Sequence, residues 1–254
     1  MAYFDKDSRE LGLKLVYYGP PLSGKTTNLQ CLHRFLKPAA RGRLMKLDAA
    51  DDRTLFCDFL PVFWQGPGTI RVKLNVYTVP GQFMHRTTRK LLLADTDGVI
   101  FVADSQVEEA QENENSWRSM KKKLSANGLD PDTTPIVVQF NKNDLPAARG
   151  AQELATLQEG RSEPIYTAAA LSGVGVLEAF FACMRLMFRN ACTAFALDQE
   201  GISDGLLLRE LANQLELNEV GANLEEVVRS FSANTDPAIE GVATPFGLRK
   251  DDEP

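Results

Sequence analysis

The stretch that most limits what this chain can fold into is GPPLSGKT, Gly19–Thr26. It lies between an apolar run, LKLVYY (Leu13–Tyr18), and a segment of helical period from Thr26 to Leu36. It fits G-x-x-x-x-G-K-[ST] through Gly19, Gly24, Lys25 and Thr26. So much glycine, proline and serine cannot build a core. After a strand and before a helix, however, such a turn aims backbone N–H groups and a helix N-terminus at one anion. The spacing therefore predicts a phosphate cradle formed by Gly19, Leu22, Ser23, Gly24, Lys25, Thr26 and Thr27. Lys25 would reach the β- and γ-phosphates, and the Thr26 hydroxyl would ligate Mg²⁺. The competing reading is a flexible glycine turn.

The rest of the chain supplies the context that such a loop needs. Leu13–Tyr18, Gly98–Ala103 (GVIFVA) and Pro135–Phe140 (PIVVQF) read as buried, parallel strands because their apolar runs are unbroken. Leu55–Phe63 and Ile70–Val79 alternate and are joined through QGPG, a hairpin signal. Residues 39–54 read as a polar loop, Glu108–Asn127 as a polar helix, Pro164–Thr167 as a short last strand and Val174–Arg189 as an amphipathic helix. The expected fold is α/β, with a mostly parallel sheet of six to seven strands flanked by helices. No run of about 18 apolar residues predicts a membrane-spanning helix, and the charged start MAYFDKDSRE has no signal-peptide core. Cys31, Cys57, Cys183 and Cys192 form no CxxC pair, which suits buried free thiols in a reducing cytoplasm. The net charge of −6 argues against general nucleic-acid binding.

Charge divides the chain near residue 195. From Phe195 to Pro254 there are 13 acidic residues against 4 basic. The expected organisation is a domain over 1–194, an acidic helical extension over 195–234 and a disordered tail over 235–254. Within the extension, Asp204–Leu217 and Asn223–Phe231 have helical period. Leu206, Leu207, Leu211, Leu215 and Leu217 could form one stripe that packs on the parent domain, docks a partner or meets a membrane. The acidity of the segment disfavours the last.

A second motif chooses the base. Asn141-Lys142-Asn143-Asp144 follows the strand PIVVQF, at the carboxyl end where open α/β sheets bind ligands. The Asp144 carboxylate can accept from guanine N1–H and the exocyclic amine, whereas adenine would leave it unpaired. The bland alternative is an Asn/Asp turn. In VYTVPGQ, Gly81 offers an N–H to a γ-phosphate and Gln82 can orient a water. In AALSGVGV, backbone N–H groups, that of Ala170 among them, could face guanine O6.

Taken together, GPPLSGKTTNLQ, DRTLFCDFLP, YTVPGQ, TRKLLL, DGVIFVADSQ and NKNDLP resemble the MglA group of bacterial Ras-like GTPases, over about residues 8–192. The resemblance implies a P-loop small-GTPase fold, a GTP/GDP cycle with Mg²⁺, and roles in polarity and surface motility. It also implies a Roadblock-domain, MglB-type dimer as activating partner. The protein would be a cytoplasmic monomer of a kind recruited to a cell pole. Thr54 matches a switch threonine on Mg²⁺ beside Thr26. Arg53 matches an arginine finger carried in cis, although a solvated charged loop is the bland reading of Asp52-Arg53. Gln82 matches the residue that orients water, so Arg53, Gln82 and Lys25 form the expected catalytic set.

Three departures qualify that expectation. The aspartate that Ras-like switches carry four residues before the glutamine is Thr78 here, as in the MglA group, which implies loosely held Mg²⁺. Pro21 stands where the group usually has glycine, and proline lacks an N–H. That leaves open an alternative, a GTP-bound scaffold with little hydrolysis. The chain also continues about 60 residues past the family's usual end. A P-loop kinase or ATPase is a third reading, which NKND opposes.

Overall fold

The computed structural model describes residues 1–47, 57–79 and 86–216, and the structural statements below concern these. Eight strands form one sheet in the order β3-β4-β5-β2-β6-β7-β8, with β1 paired to the start of β2. The strands are β1 (Tyr3–Asp5), β2 (Glu10–Tyr18), β3 (Met45–Leu47), β4 (Cys57–Gln65), β5 (Arg71–Thr78), β6 (Gly98–Asp104), β7 (Ile136–Asn141) and β8 (Ile165–Thr167). From β5 to β8 every neighbouring pair is parallel. The β1–β2, β3–β4 and β4–β5 pairs are antiparallel.

Six helices cover the sheet: α1 (Lys25–Phe35), α2 (Arg86–Leu93), α3 (Ala110–Ser125), α4 (Ala151–Glu159), α5 (Val176–Phe195) and α6 (Asp204–Ala212). Side chains alternate across the sheet, so each strand feeds two cores. Leu13, Leu15 and Tyr17 of β2 join Leu32 of α1 and Phe180, Met184 and Phe188 of α5 on one face. Val16 and Tyr18 join Trp117, Met120 and Leu124 of α3 on the other. All of β6 and β7 is buried, which is why both runs read as continuously apolar.

The structure amends several expectations. Within 39–54, read as a loop, Met45–Leu47 is an edge strand paired with β4, and Arg41 bridges to Val62. Three residues are too few for a periodic signal, so the pairing strand supplies the conformation. Helices α2 and α4 carried no expectation. Helix α5 runs on to Phe195. Asp204–Leu217 is helical only to Ala212. Leu217 and the expected helix Asn223–Phe231 lie outside the described residues. The four cysteines are buried and form no disulfide with one another. Among the described residues no helix is long and apolar enough to cross a membrane.

The α6 stripe packs on the parent domain. Leu207, Leu208, Leu211 and Leu215 are buried in the same core cluster as α1, α5, Leu60 and Trp64. Leu208, outside the expected stripe, is buried beside Leu207 and widens the apolar face.

Candidate functional site

The parallel strands β5, β2, β6, β7 and β8 all end on one edge of the sheet, and the loops there meet. The first loop leaves β2 and enters α1. Gly19 and Gly24 have φ of 156° and 99°. A Cβ at Gly19 would lie 2.1 Å from Val102 O, and one at Gly24 would lie 2.1 Å from Asn141 Nδ2. Only glycine allows this close approach. Leu22 also has positive φ, 60°, and is exposed. No side chain caps α1 and its first turn carries no acid, so the N–H groups of Lys25, Thr26 and Thr27 stand at an uncapped helix N-terminus. Ser23 is buried. Lys25 is buried too, and its Nζ donates to Gly19 O at 3.1 Å and Pro20 O at 2.6 Å. Burial, and after it the charge of nearby Arg89 on α2, lower its ammonium to about 7.

Asn141 ties three loops together. Its Nδ2 donates to Ser23 O at 2.8 Å, and its Oδ1 accepts the Ala170 N–H at 2.9 Å. The Ala170 N–H, expected to face a base, donates to Asn141 in this structure. The next N–H, that of Leu171, makes no hydrogen bond to any other described residue, and the Leu171 side chain is 84% exposed. Lys142 sits at φ 64°. Its Nζ donates to the buried carboxylate of Asp104 at the end of β6. Asn113 on α3 holds Asp104 in place through paired backbone hydrogen bonds of 2.9 and 2.8 Å. Asp144 stands exposed at the rim.

The register of β4 brings in a residue that the motifs did not name. Asp58 lies opposite Thr78 in the β4–β5 ladder and exchanges two hydrogen bonds of 3.0 Å with it. Its Oδ2 also accepts the Thr26 hydroxyl at 2.6 Å. A carboxylate, absent at position 78, thus stands on the adjacent strand, hydrogen-bonded to both Thr78 and Thr26. A hydroxyl that gives its proton to Asp58 keeps its lone pairs for a cation. Arg53, Thr54, Gly81 and Gln82 lie outside the described residues.

A P-loop laced to an NKxD loop at adjoining ends of a parallel sheet defines the class: a Ras-like small GTPase. Comparison with known proteins agrees. The ADP-ribosylation factor family model matches residues 69–184. Over 187 residues the chain is 41% identical to "Mutual gliding-motility protein MglA" of Myxococcus xanthus (strain DK1622), covering 74% of this chain and 96% of that protein. It is also 28% identical over 92 residues to "Replication factor C subunit 3" of Schizosaccharomyces pombe (strain 972 / ATCC 24843), covering 36% of this chain and 23% of that one. The chain belongs to the MglA-type small GTPases and, as such, binds guanine nucleotide.

Proposed function

We propose that this protein is a nucleotide switch that hydrolyses GTP to GDP and regulates cell polarity or motility through partners that read its nucleotide state. The observation that carries this reading is Asn141 bound to both Ser23 O and the Ala170 N–H, which sets a guanine-type loop against a phosphate-type loop. Gly19, Leu22, Ser23, Gly24, Lys25, Thr26 and Thr27 cradle the phosphates. Asp144 accepts from the base, and the Leu171 N–H is offered to its O6. Lys142 is positioned by Asp104.

The cradle also suits Mg²⁺, a hard cation that takes oxygen ligands and prefers few protein groups alongside phosphates. Thr26 and Thr54 would hold it, with Asp58 polarising the Thr26 hydroxyl, and the ion would neutralise charge between the β- and γ-phosphates. Gln82 orients the attacking water. Arg53 places a guanidinium where negative charge develops, an effect worth roughly 10³–10⁵ in rate. A Roadblock-domain, MglB-type dimer is the proposed activator, and recruitment to a cell pole the proposed localisation. Pro21 favours a second reading, a slowly hydrolysing GTP-bound scaffold, because it removes one N–H from the cradle.

Partner-stimulated turnover tests the proposal. With a Roadblock-domain dimer added, GTP bound to the wild-type chain turns over faster, while Arg53→Ala keeps its GTP and loses most of the stimulation. Full stimulation of Arg53→Ala contradicts the assignment of the finger.

Lys25 adds a pH dependence. Its ammonium titrates near 7 in the folded protein, against about 10.4 in an unfolded chain. Between these values the unfolded chain binds more protons, so the nucleotide-free fold gains stability as pH rises through that window. Phosphate oxygens favour the ammonium, so GDP binding takes up a proton there. Calorimetry at about pH 8.5 in buffers of different ionisation enthalpy should show uptake approaching one proton. Binding enthalpies independent of the buffer would contradict this.

A further inference from the structure

Two elements that begin or end in the nucleotide site have their far ends held by one segment, residues 197–216. The first is α1. It starts at Lys25 and Thr26 and stops at Phe35, after which Leu36 is extended and forms an antiparallel bridge with Leu215. The bridge is flanked by Glu216 N–H to Phe35 O and Lys37 N–H to Gln214 O, both 2.8 Å. The Lys37 ammonium adds a bond of 2.6 Å to Asn213 O. The second element is β4, which carries Asp58 at its site end. Its far end turns into β5 through Gly66–Thr69. A Cβ added at Gly66 would lie 3.5 Å from Leu207 Cδ2, and one at Gly68 would lie 3.6 Å from Ile202 Cδ1. Arg9 closes the contact, donating to Gly68 O at 2.9 Å and pairing with Glu200 at 3.1 Å.

These contacts complete a ring. Inside the site, the Thr26 hydroxyl joins α1 to Asp58 of β4 at 2.6 Å. On the opposite side, 197–216 joins the same two elements again. A helix and a strand are stiff along their lengths, so a shift of β4 against α1 must break a contact at both ends. Leu197, Ile202, Leu207, Leu211 and Leu215 are buried and join the core beneath both elements.

We infer that residues 197–216 act as a strap that positions Asp58 against Thr26, with Leu207 and Leu215 as its positioning residues, and so fix how tightly this protein retains Mg²⁺ and its nucleotide. The strap rests on the nucleotide-switch reading above. Its influence passes through the carboxylate and hydroxyl that serve the cation, so it requires Mg²⁺. By reciprocity, the occupied site tightens the strap.

The test is the release of fluorescent GDP from the full-length chain, with Mg²⁺ and with EDTA. In Mg²⁺, Leu207→Ala releases GDP roughly fivefold faster or more than wild type, and Leu207→Met restores the wild-type rate. In EDTA the three chains release at one rate. Equal rates in Mg²⁺ overturn the strap, and so does an acceleration of the same size in EDTA, which marks general loosening of the fold. Hydrogen exchange on the wild-type chain tests the same claim with no substitution. The Lys37 and Glu216 amides exchange more slowly with Mg²⁺·GDP bound than after EDTA, and identical exchange overturns the strap. A chain that retains no GDP under either condition fails the nucleotide reading itself, and the strap falls with it.

Discussion

Asp144→Asn moves the preference of this protein from GTP to xanthosine triphosphate. On the proposed reading, the Asp144 carboxylate at the rim accepts two N–H groups of guanine, each a charge-assisted hydrogen bond worth about 1.5–3 kcal/mol. The amide oxygen still accepts guanine N1–H, but the amide N–H now faces the exocyclic amine, donor against donor. Xanthine replaces the exocyclic amine by a carbonyl, which the new donor fits. Loss of one such bond corresponds to roughly 10–10² in affinity for GTP. Competition between labelled GTP and unlabelled xanthosine triphosphate reads the change directly. Unchanged selectivity would mean that the base does not sit at Asn141–Asp144.

Asp58→Ala uncouples nucleotide retention from Mg²⁺. Asp58 accepts the Thr26 hydroxyl at 2.6 Å and is held by Thr78 across the ladder at 3.0 Å. Groups that orient a metal ligand in this way typically contribute 10–100-fold to metal affinity, and roughly that loss is expected here. The Mg²⁺ concentration needed to slow GDP release should rise by the same factor, while release in EDTA stays at the wild-type rate. An unaltered Mg²⁺ dependence would show that Thr78 has no substitute carboxylate and that the cation is held without one.

Much of this architecture was legible because its signals are local. GVIFVA and PIVVQF are strands buried on both faces, and a strand in that position must be apolar throughout. GPPLSGKT and NKND each carry their chemistry within a few consecutive residues. Asp58 does not. Its partners Thr26 and Thr78 are 32 and 20 positions away, and only the β4–β5 register together with the start of α1 brings the three together. The same holds for Asp104, which serves Lys142 from 38 positions away. The bond between the Ala170 N–H and Asn141 was equally hidden. A loop can be assigned to a base from sequence, but which of its amides is already taken by Asn141 depends on tertiary contact.

Elements with weak periodicity were also hidden. In RTTRKLLL the apolar residues crowd one end, and in AQELATLQE only Leu154 is buried. The extension was readable as an apolar stripe, but its docking surface was not. That surface is assembled from the end of α1, the β4–β5 turn and α5, which are remote from one another in the chain.

Single-turnover hydrolysis of GTP loaded on the wild-type, full-length chain, with and without a Roadblock-domain dimer, tests the central claim most directly. The account predicts slow release of phosphate from the chain alone and clear acceleration by the dimer, with GDP left bound. GTP that remains intact in both conditions would contradict a hydrolysing switch and leave the Pro21 scaffold in its place.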